Sequence, residues 1–448
     1  MKSESRQFVK EVFTLALPVG FQSLINNLVN MIDGVMIGSL GEASISAVSV
    51  SGTYMWLAHT FIMGLAGGAS VVMAQDYGRG EIKRIKHLFS FVMVVCVVFA
   101  ANFFTLTTFF PVQILQVYSN MPSIIEPGVQ YLNIIRYALV LNMMTLAIIF
   151  MLRSVRSVKL GLYNSMCSCV SNVFFNWVFI YGNLGAPAMG AAGAALGTLI
   201  ARVIEFVISV VYLLLIEKNL KFRLGDFDPR LDLDFLKQYI QIAIPLLAID
   251  VFTNFSSSVQ TMITGRVNEY YLSANSIVHN SWMLPNVFLG GASMAASVMI
   301  GNAIGQNDFD KARRDSFRFV VVAAVFGLFT SAMVQVIRPI LSLYYNVQME
   351  TLILAKEMGY AASISVFFQS IAIILCNGVI KAGGMTDRIL KVDMIATWVL
   401  AIPIGFVCAF VIKLPAAFLY LILRGNNIVK AVWGIFQLKK GDWIKVIA

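Results

Sequence analysis

The chain has 448 residues, of which 58% are apolar and only 12% charged, with a mean hydropathy of +0.79. A soluble chain carries roughly a quarter charged residues, so this composition excludes a soluble globular protein. The net charge of +10 would suit a nucleic-acid binder, but the placement of the Lys and Arg residues accounts for it differently.

Apolar blocks long enough to cross a hydrocarbon layer of ~30 Å at 1.5 Å rise per residue predict helices over 10–37, 46–76, 88–110, 128–152, 160–181 and 190–216. They continue over 238–264, 272–303, 317–337, 353–380, 389–412 and 415–437. Of the 33 Lys and Arg, 26 fall at the two ends or in the even-numbered connections, and four lie inside helices. Only Arg266, Arg338 and Lys413 fall in odd-numbered connections. Basic residues gather on the cytoplasmic side, so both termini are expected there and the helix count is even. The basic balance is topology rather than a nucleic-acid patch. The first helix, interrupted by Asn26, Asn27, Asn30 and Asp33, lacks a cleavage site and is expected to act as its own insertion signal.

In helix one, Gln22, Asn26, Asn30 and Asp33 follow spacings of 4, 4 and 3, which place them within ~80° on a helical wheel. An Asp at bilayer depth costs ~2.5–3.5 kcal/mol on insertion scales, so it must face the interior or water. Out of water the charged form of a carboxylate is penalised, which lets it trade its proton for a cation. The bland reading is an Asp solvated near a helix end. Helix five carries Ser165, Ser168, Asn172 and Asn176 on one face. With Thr198 of helix six these offer hard oxygen ligands for a proton or Na⁺ relay, or simply interhelical hydrogen bonds. Arg202 and Glu205, three apart on helix six, read as a local ion pair. The connection 217–236, with Asp226, Asp228, Pro229, Asp232 and Asp234, reads as a polar, extended linker.

In helix seven, Asp250, Asn254, Ser257, Ser258 and Thr261 form a comparable stripe, and on helix eight His279 shares a face with Asn275, Trp282 and Asn286. Asp250 is the carboxylate candidate of the second half; Asn254, His279 and Trp282 join it as candidate substrate contacts, as Asn30 does in the first half. Pro18 and Pro245 are candidates for a hinge or helix bend. The five cysteines fall in predicted spans without CxxC or metal spacing, so no metal site is expected. No GxxxxGK[ST], HExxH or GxSxG motif is present, so neither ATP hydrolysis nor a familiar hydrolase is supported.

The chain repeats itself at an offset of 227. Identical pairs in one ungapped frame include Lys10/Lys237, Pro18/Pro245, Asn27/Asn254, Gly38/Gly265, Phe61/Phe288, Gly64/Gly291 and Gly78/Gly305. Apolar chains match by chance at Leu or Val, not at Pro, Asn and Gly in register. Each copy holds six helices, an even number, so both insert in the same sense. Parallel repeats of this kind place a substrate path between halves that rock against each other. The expected organisation is an amino-terminal lobe, 1–216, a cytoplasmic linker, 217–236, and a carboxy-terminal lobe, 237–448.

Ordered blocks run along the chain: Pro18 with the stretch Val29 to Gly38 around Asp33-Gly34, Gly64 to Ser70 with Ala74-Gln75 and Gly78, and Leu152-Arg153. They continue through Asn172, Asn176 and Phe179 to Gly182, Gly190 to Ala195 with Thr198, Gly291 to Gly305, Gly378 to Lys381, Trp398 and Pro403. In these blocks, from about residue 8 to 445, the sequence resembles the multidrug and toxic compound extrusion (MATE) transporters. The resemblance implies an all-α membrane protein of twelve transmembrane helices in two six-helix repeats. It also implies ion coupling at Asp33 with Asn172, Asn176 and Thr198. Some members carry a second acid late in helix five; the matching position here is Asn176, which leaves one carboxylate and makes H⁺ the expected coupling ion over Na⁺.

The resulting expectation is an antiporter of a bacterial inner membrane, monomeric, with no cofactor beyond H⁺ or Na⁺. It would export small organic, cationic, drug-like compounds. The alternative within transport is a lipid-linked glycan flippase, which wants a strongly basic central cavity; these spans hold few basic residues. An integral-membrane enzyme would need a His, Asp or Cys cluster at one membrane face, and no such pattern is visible.

Overall fold

The computed structural model describes residues 2–118, 121–267, 269–344 and 347–446. No strand occurs among the described residues. The first six helices are α1 (Lys2–Gly38), α2 (Glu42–Arg79), α3 (Ile82–Phe109), α4 (Pro122–Ser154), α5 (Lys159–Tyr181) and α6 (Ala191–Ile216). The second six are α7 (Leu233–Gly265), α8 (Glu269–Gly305), α9 (Phe309–Tyr344), α10 (Met349–Ile380), α11 (Thr386–Ile412) and α12 (416–440). α12 is broken at Arg424-Gly425 into Ala416–Leu423 and Asn426–Lys440.

Ten helices among the described residues are long and apolar enough to cross a membrane. The two others each have a physical reason. α5 is diluted by Asn164, Ser165, Ser168, Asn172 and Asn176, which are buried within the protein rather than turned to lipid. α12 is interrupted at Arg424, so neither of its pieces is long enough. Most helices also run further than the apolar blocks, because charged ends such as Asp310 to Arg318 continue the helix beyond the hydrocarbon. Pro18 and Pro245 lie inside uninterrupted helices.

The chain packs as two units. One comprises Met1–Gly20, Ala74–Gly80 and Gln238–Ala448, the other Phe21–Met73 and Glu81–Lys237. In the first unit the ends of α2 and α8 cross at glycines. A Cβ at Gly78 would collide with the Asn302 carbonyl, and one at Gly305 with the Gln75 carbonyl. Gly78 and Gly305 are repeat partners, and so are Gln75 and Asn302. Asn302 Nδ2 donates to Ala74 O at 2.7 Å, and Gln75 Nε2 to Ala382 O at 2.8 Å. The repeat seen in the sequence is thus a paired packing device.

In the second unit α5 and α6 approach closely. A Cβ at Gly193 would strike the Phe179 carbonyl, and one at Gly197 the Asn176 amide. Small residues permit such backbone approach in membrane bundles. The segment 217–236 is less extended than its composition suggests. Leu220 and Phe222 are buried, Phe222 meeting Phe89 edge to face at 5.4 Å. Glu217 accepts from the Asn219 and Leu220 amides at 2.9 and 2.6 Å, and Lys86 Nζ donates to Asp226 Oδ2 at 2.8 Å. The Arg230 guanidinium forks onto Asp228 at 2.9 and 3.1 Å, holding that carboxyl down at about 2.

Candidate functional site

The polar stripe of α1 is zipped onto α5 and the end of α4. Arg153 donates to Gln22 Oε1 at 2.6 Å, Ser165 Oγ to Asn26 Oδ1 at 2.8 Å, and Asn176 Nδ2 to Asp33 Oδ1 at 2.7 Å. Both residue numbers rise together, so α1 and α5 run parallel, as two odd-numbered spans must. A polar side chain in a bundle is tolerated when a neighbouring helix satisfies it, and these pairings do so at three of the four stripe positions. Asn30 is exposed and has no hydrogen-bond partner among the described residues.

Asp33 begins a continuous chain of hydrogen bonds. Asn176 Nδ2 also donates to Asn172 Oδ1 at 3.2 Å, and Asn172 Nδ2 donates to Thr198 Oγ1 at 3.2 Å. Asn172 and Asn176 are buried, and Asn176 Oδ1 has no partner among the described residues. Gly197 supports this arrangement, since any side chain there would displace the Asn176 amide. The four residues singled out for ion coupling therefore form one network, with Asp33 its only carboxylate. Its acceptors are Asp33, the two amide oxygens and the Thr198 hydroxyl. They can hold one proton or offer oxygens to a small hard cation.

Three further residues share the electrostatic surroundings and were not expected from the sequence as site residues. Arg202 acts on Asp33, His59 and Tyr131, and Asp33 acts on Tyr131. His59 stacks on Trp56, with ring centroids 5.1 Å apart at 15°, and its Nδ1 is buried without a partner among the described residues. Arg202 itself is bound to Glu205 at 2.6 Å, the local pair that the spacing suggested. Arg202 is marked in the sequence only as a partner of Glu205, and His59 and Tyr131 belong to none of the polar stripes, so no pattern along the chain announces their part in this site.

The second-half candidates do not gather in this way. Asn254 Nδ2 donates to the Asp250 carbonyl of its own helix at 2.8 Å. The electrostatic neighbours of the half-buried Asp250 are Lys381 and Asp393, and Asp393 is bound to Lys430 at 2.7 Å. His279 and Trp282 form a separate edge-to-face pair, with centroids 4.7 Å apart at 70°. No group of three or more potential metal ligands occurs among the described residues.

Comparison with known proteins bears on this site. A family model described as MatE matches residues 18–178 and again residues 245–407. The chain belongs to the MatE family. The two matches begin 227 residues apart, which is the register of the internal repeat. Membership makes this MATE protein a multi-pass membrane transporter. It is similar to multidrug resistance protein NorM of Photobacterium profundum, at 23% identity over 90% of this chain and 88% of that one. It is also similar to multidrug resistance protein MdtK of Edwardsiella ictaluri, at 22% identity over 91% and 89%. Among solved structures, that of MATE in complex with MaL6 superposes with a TM-score of 0.86, covering 97% of both chains at 15% identity. That likeness concerns the fold, and it confirms the all-α, twelve-helix architecture.

Proposed function

We propose that this MATE protein is a proton-coupled antiporter that exports small amphipathic organic cations across a bacterial inner membrane. The observation that carries the proposal is the network Asp33–Asn176–Asn172–Thr198, which holds a single carboxylate among neutral groups. Protonation removes the one negative charge outright, whereas Na⁺ stripped of water wants several oxygens and more than one negative charge to offset dehydration. A cationic substrate suits the same carboxylate, because the acid can hold either the proton or the passenger. Two relatives named as multidrug resistance proteins support drug-like cargo.

The test is accumulation of a fluorescent organic cation in everted vesicles, where export becomes uptake, driven by a pH gradient or a Na⁺ gradient alone. Proton-driven efflux should vanish in Asp33→Asn, which keeps shape and removes the titratable group, at unchanged expression. Full efflux by that variant, or efflux that survives a protonophore and fails without Na⁺, would overturn the reading.

A further inference from the structure

The first unit contains a small pocket between α7, α8 and the break in α12, of about 20 Å³ and open on one side, lined by polar side chains among apolar ones. A space of that size admits about one water-sized group, such as the head of a larger molecule. Four of its lining residues have free donors. Ser257, Gln260, Asn275 and Arg424 have no side-chain hydrogen-bond partner among the described residues, and Gln260 is only 8% exposed. Thr261 and Thr264, by contrast, spend their hydroxyls on the Ser257 and Thr261 carbonyls, at 2.9 and 3.0 Å.

The charge in the pocket is one-sided. No Asp or Glu lines it, and Arg424 has no ion-pair partner among the described residues. The electrostatic neighbours that feel Arg424 are Tyr271, Tyr420 and His279, none of which carries a carboxylate. An unpaired guanidinium and convergent neutral donors form the chemistry of an anion site, since Arg forks onto carboxylates and amides add further donors. The repeat sharpens the contrast. Gln260 stands 227 residues after Asp33, so the position that is a carboxylate in the first half is a neutral amide in the second. The break at Arg424-Gly425 brings a cation beside it.

We propose that this pocket is an anion subsite that takes one oxygen of a carboxylate, or one halide ion, bound by Arg424 with Gln260, Ser257 and Asn275 donating. The group is either the carboxylate of an organic molecule or a free halide, and both present the same chemistry to the same donors. The pocket shares no residue with the Asp33 network.

The experiment is direct binding to the purified full chain in detergent and a sulfate buffer. Polarisation of 7-hydroxycoumarin-4-acetate is compared with that of its neutral methyl ester, and the Tm is followed on adding chloride. The acid should bind at least about tenfold more tightly than the ester. Arg424→Gln should weaken it by about tenfold or more, as expected for loss of a charge-assisted contact. Gln260→Leu, which keeps the charge, should weaken it severalfold. Size-exclusion elution and Tm verify that each variant is folded. If excess chloride displaces the coumarin or raises the Tm only while Arg424 is present, the site takes a free anion. If chloride does neither, it takes an organic carboxylate. The proposal fails if acid and ester bind alike, if both variants bind as wild type, or if neither the acid nor chloride binds. Because binding is read without transport, its failure is distinct from a failure of the exchange reading.

Discussion

Replacing Asn176 by Asp puts a second carboxylate where an amide now donates to Asp33 over 2.7 Å and to Asn172 over 3.2 Å. Two terms change. The donated hydrogen bond to a charged group, ~1.5–3 kcal/mol, is lost. In its place, two negative charges at the present 2.7 Å separation would repel by about 6 kcal/mol at an effective dielectric of 20. Relaxation of the side chains to ~4 Å still leaves about 4 kcal/mol. Either figure far exceeds the ~1.4 kcal/mol of a tenfold change in an equilibrium. The pair therefore will not stand as two bare anions; it must share a proton or bind a cation, and the added charge makes Na⁺ a fitting occupant. Asn176→Asp should acquire Na⁺-dependent efflux and lose rate under a pure pH gradient, by tenfold or more. Everted vesicles that take up a fluorescent cation from the medium, energised by each gradient in turn, measure both rates, and Na⁺-dependent Tm of the purified variant reports binding independently. Wild-type proton-driven rates with no Na⁺ effect on either readout would refute the assignment of this network as the ion site.

Further substitutions probe what holds that network and the crossing helices. Gly197→Ala should displace the Asn176 amide and cost about 1–3 kcal/mol by overpacking, lowering both Tm and efflux; an unchanged Tm with normal efflux would show that the amide is free to move. Gly78→Ala and Gly305→Ala should each destabilise by a similar amount, since each collides with backbone at the same crossing, while Gly52→Ala, with open space around it, should not. Thermal unfolding of the three purified variants decides the matter. Glu205→Gln should cost about 3 kcal/mol by stranding Arg202, the low end of the range for a broken buried pair because 35% of the Arg202 side chain is exposed. A combined Arg202→Met, Glu205→Leu variant should be milder, and the order of the two Tm values tests this.

Much of the architecture is legible in the sequence because lipid punishes polarity over a fixed length. The expected span 160–181 matches α5, Lys159–Tyr181, to within a residue at its start, although α5 is too polar to pass as a span by apolarity alone. What hydropathy does not mark is where a helix ends in water, hence the longer ends of α8 and α9. Nor does it mark the break in α12, although Arg424-Gly425-Asn426-Asn427 inside an apolar block is a signal for it. Within the site, Asp33, Asn172, Asn176 and Thr198 were legible together through stripes and resemblance. His59 and Tyr131 were not, because they meet Arg202 and Asp33 only through the tertiary fold. Asp250 and Asn254 mimic the first-half stripe, yet Asn254 spends its amide on its own helix, an outcome that spacing alone cannot distinguish from a cross-helix bond.

The repeat explains why one half is a poor guide to the chemistry of the other. Gly78 and Gly305 are both glycine because each sits against a partner's backbone, and Gln75 and Asn302 are both amides because each donates to a carbonyl. A change at any of these positions costs packing directly, so the duplicated copies are held alike. Asp33 and Gln260 carry no such constraint. Asp33 is satisfied by one amide of α5, and Gln260 lines an open pocket with no partner at all among the described residues. A carboxylate at the Gln260 position would place a further desolvated charge in the membrane, at ~2.5–3.5 kcal/mol on insertion scales, and no amide of another helix is bonded to that position among the described residues, as Asn176 is to Asp33. The helix crossings therefore stay symmetric while the polar positions diverge, and an exchange site in one half with a differently charged pocket in the other is what that asymmetry of constraint allows.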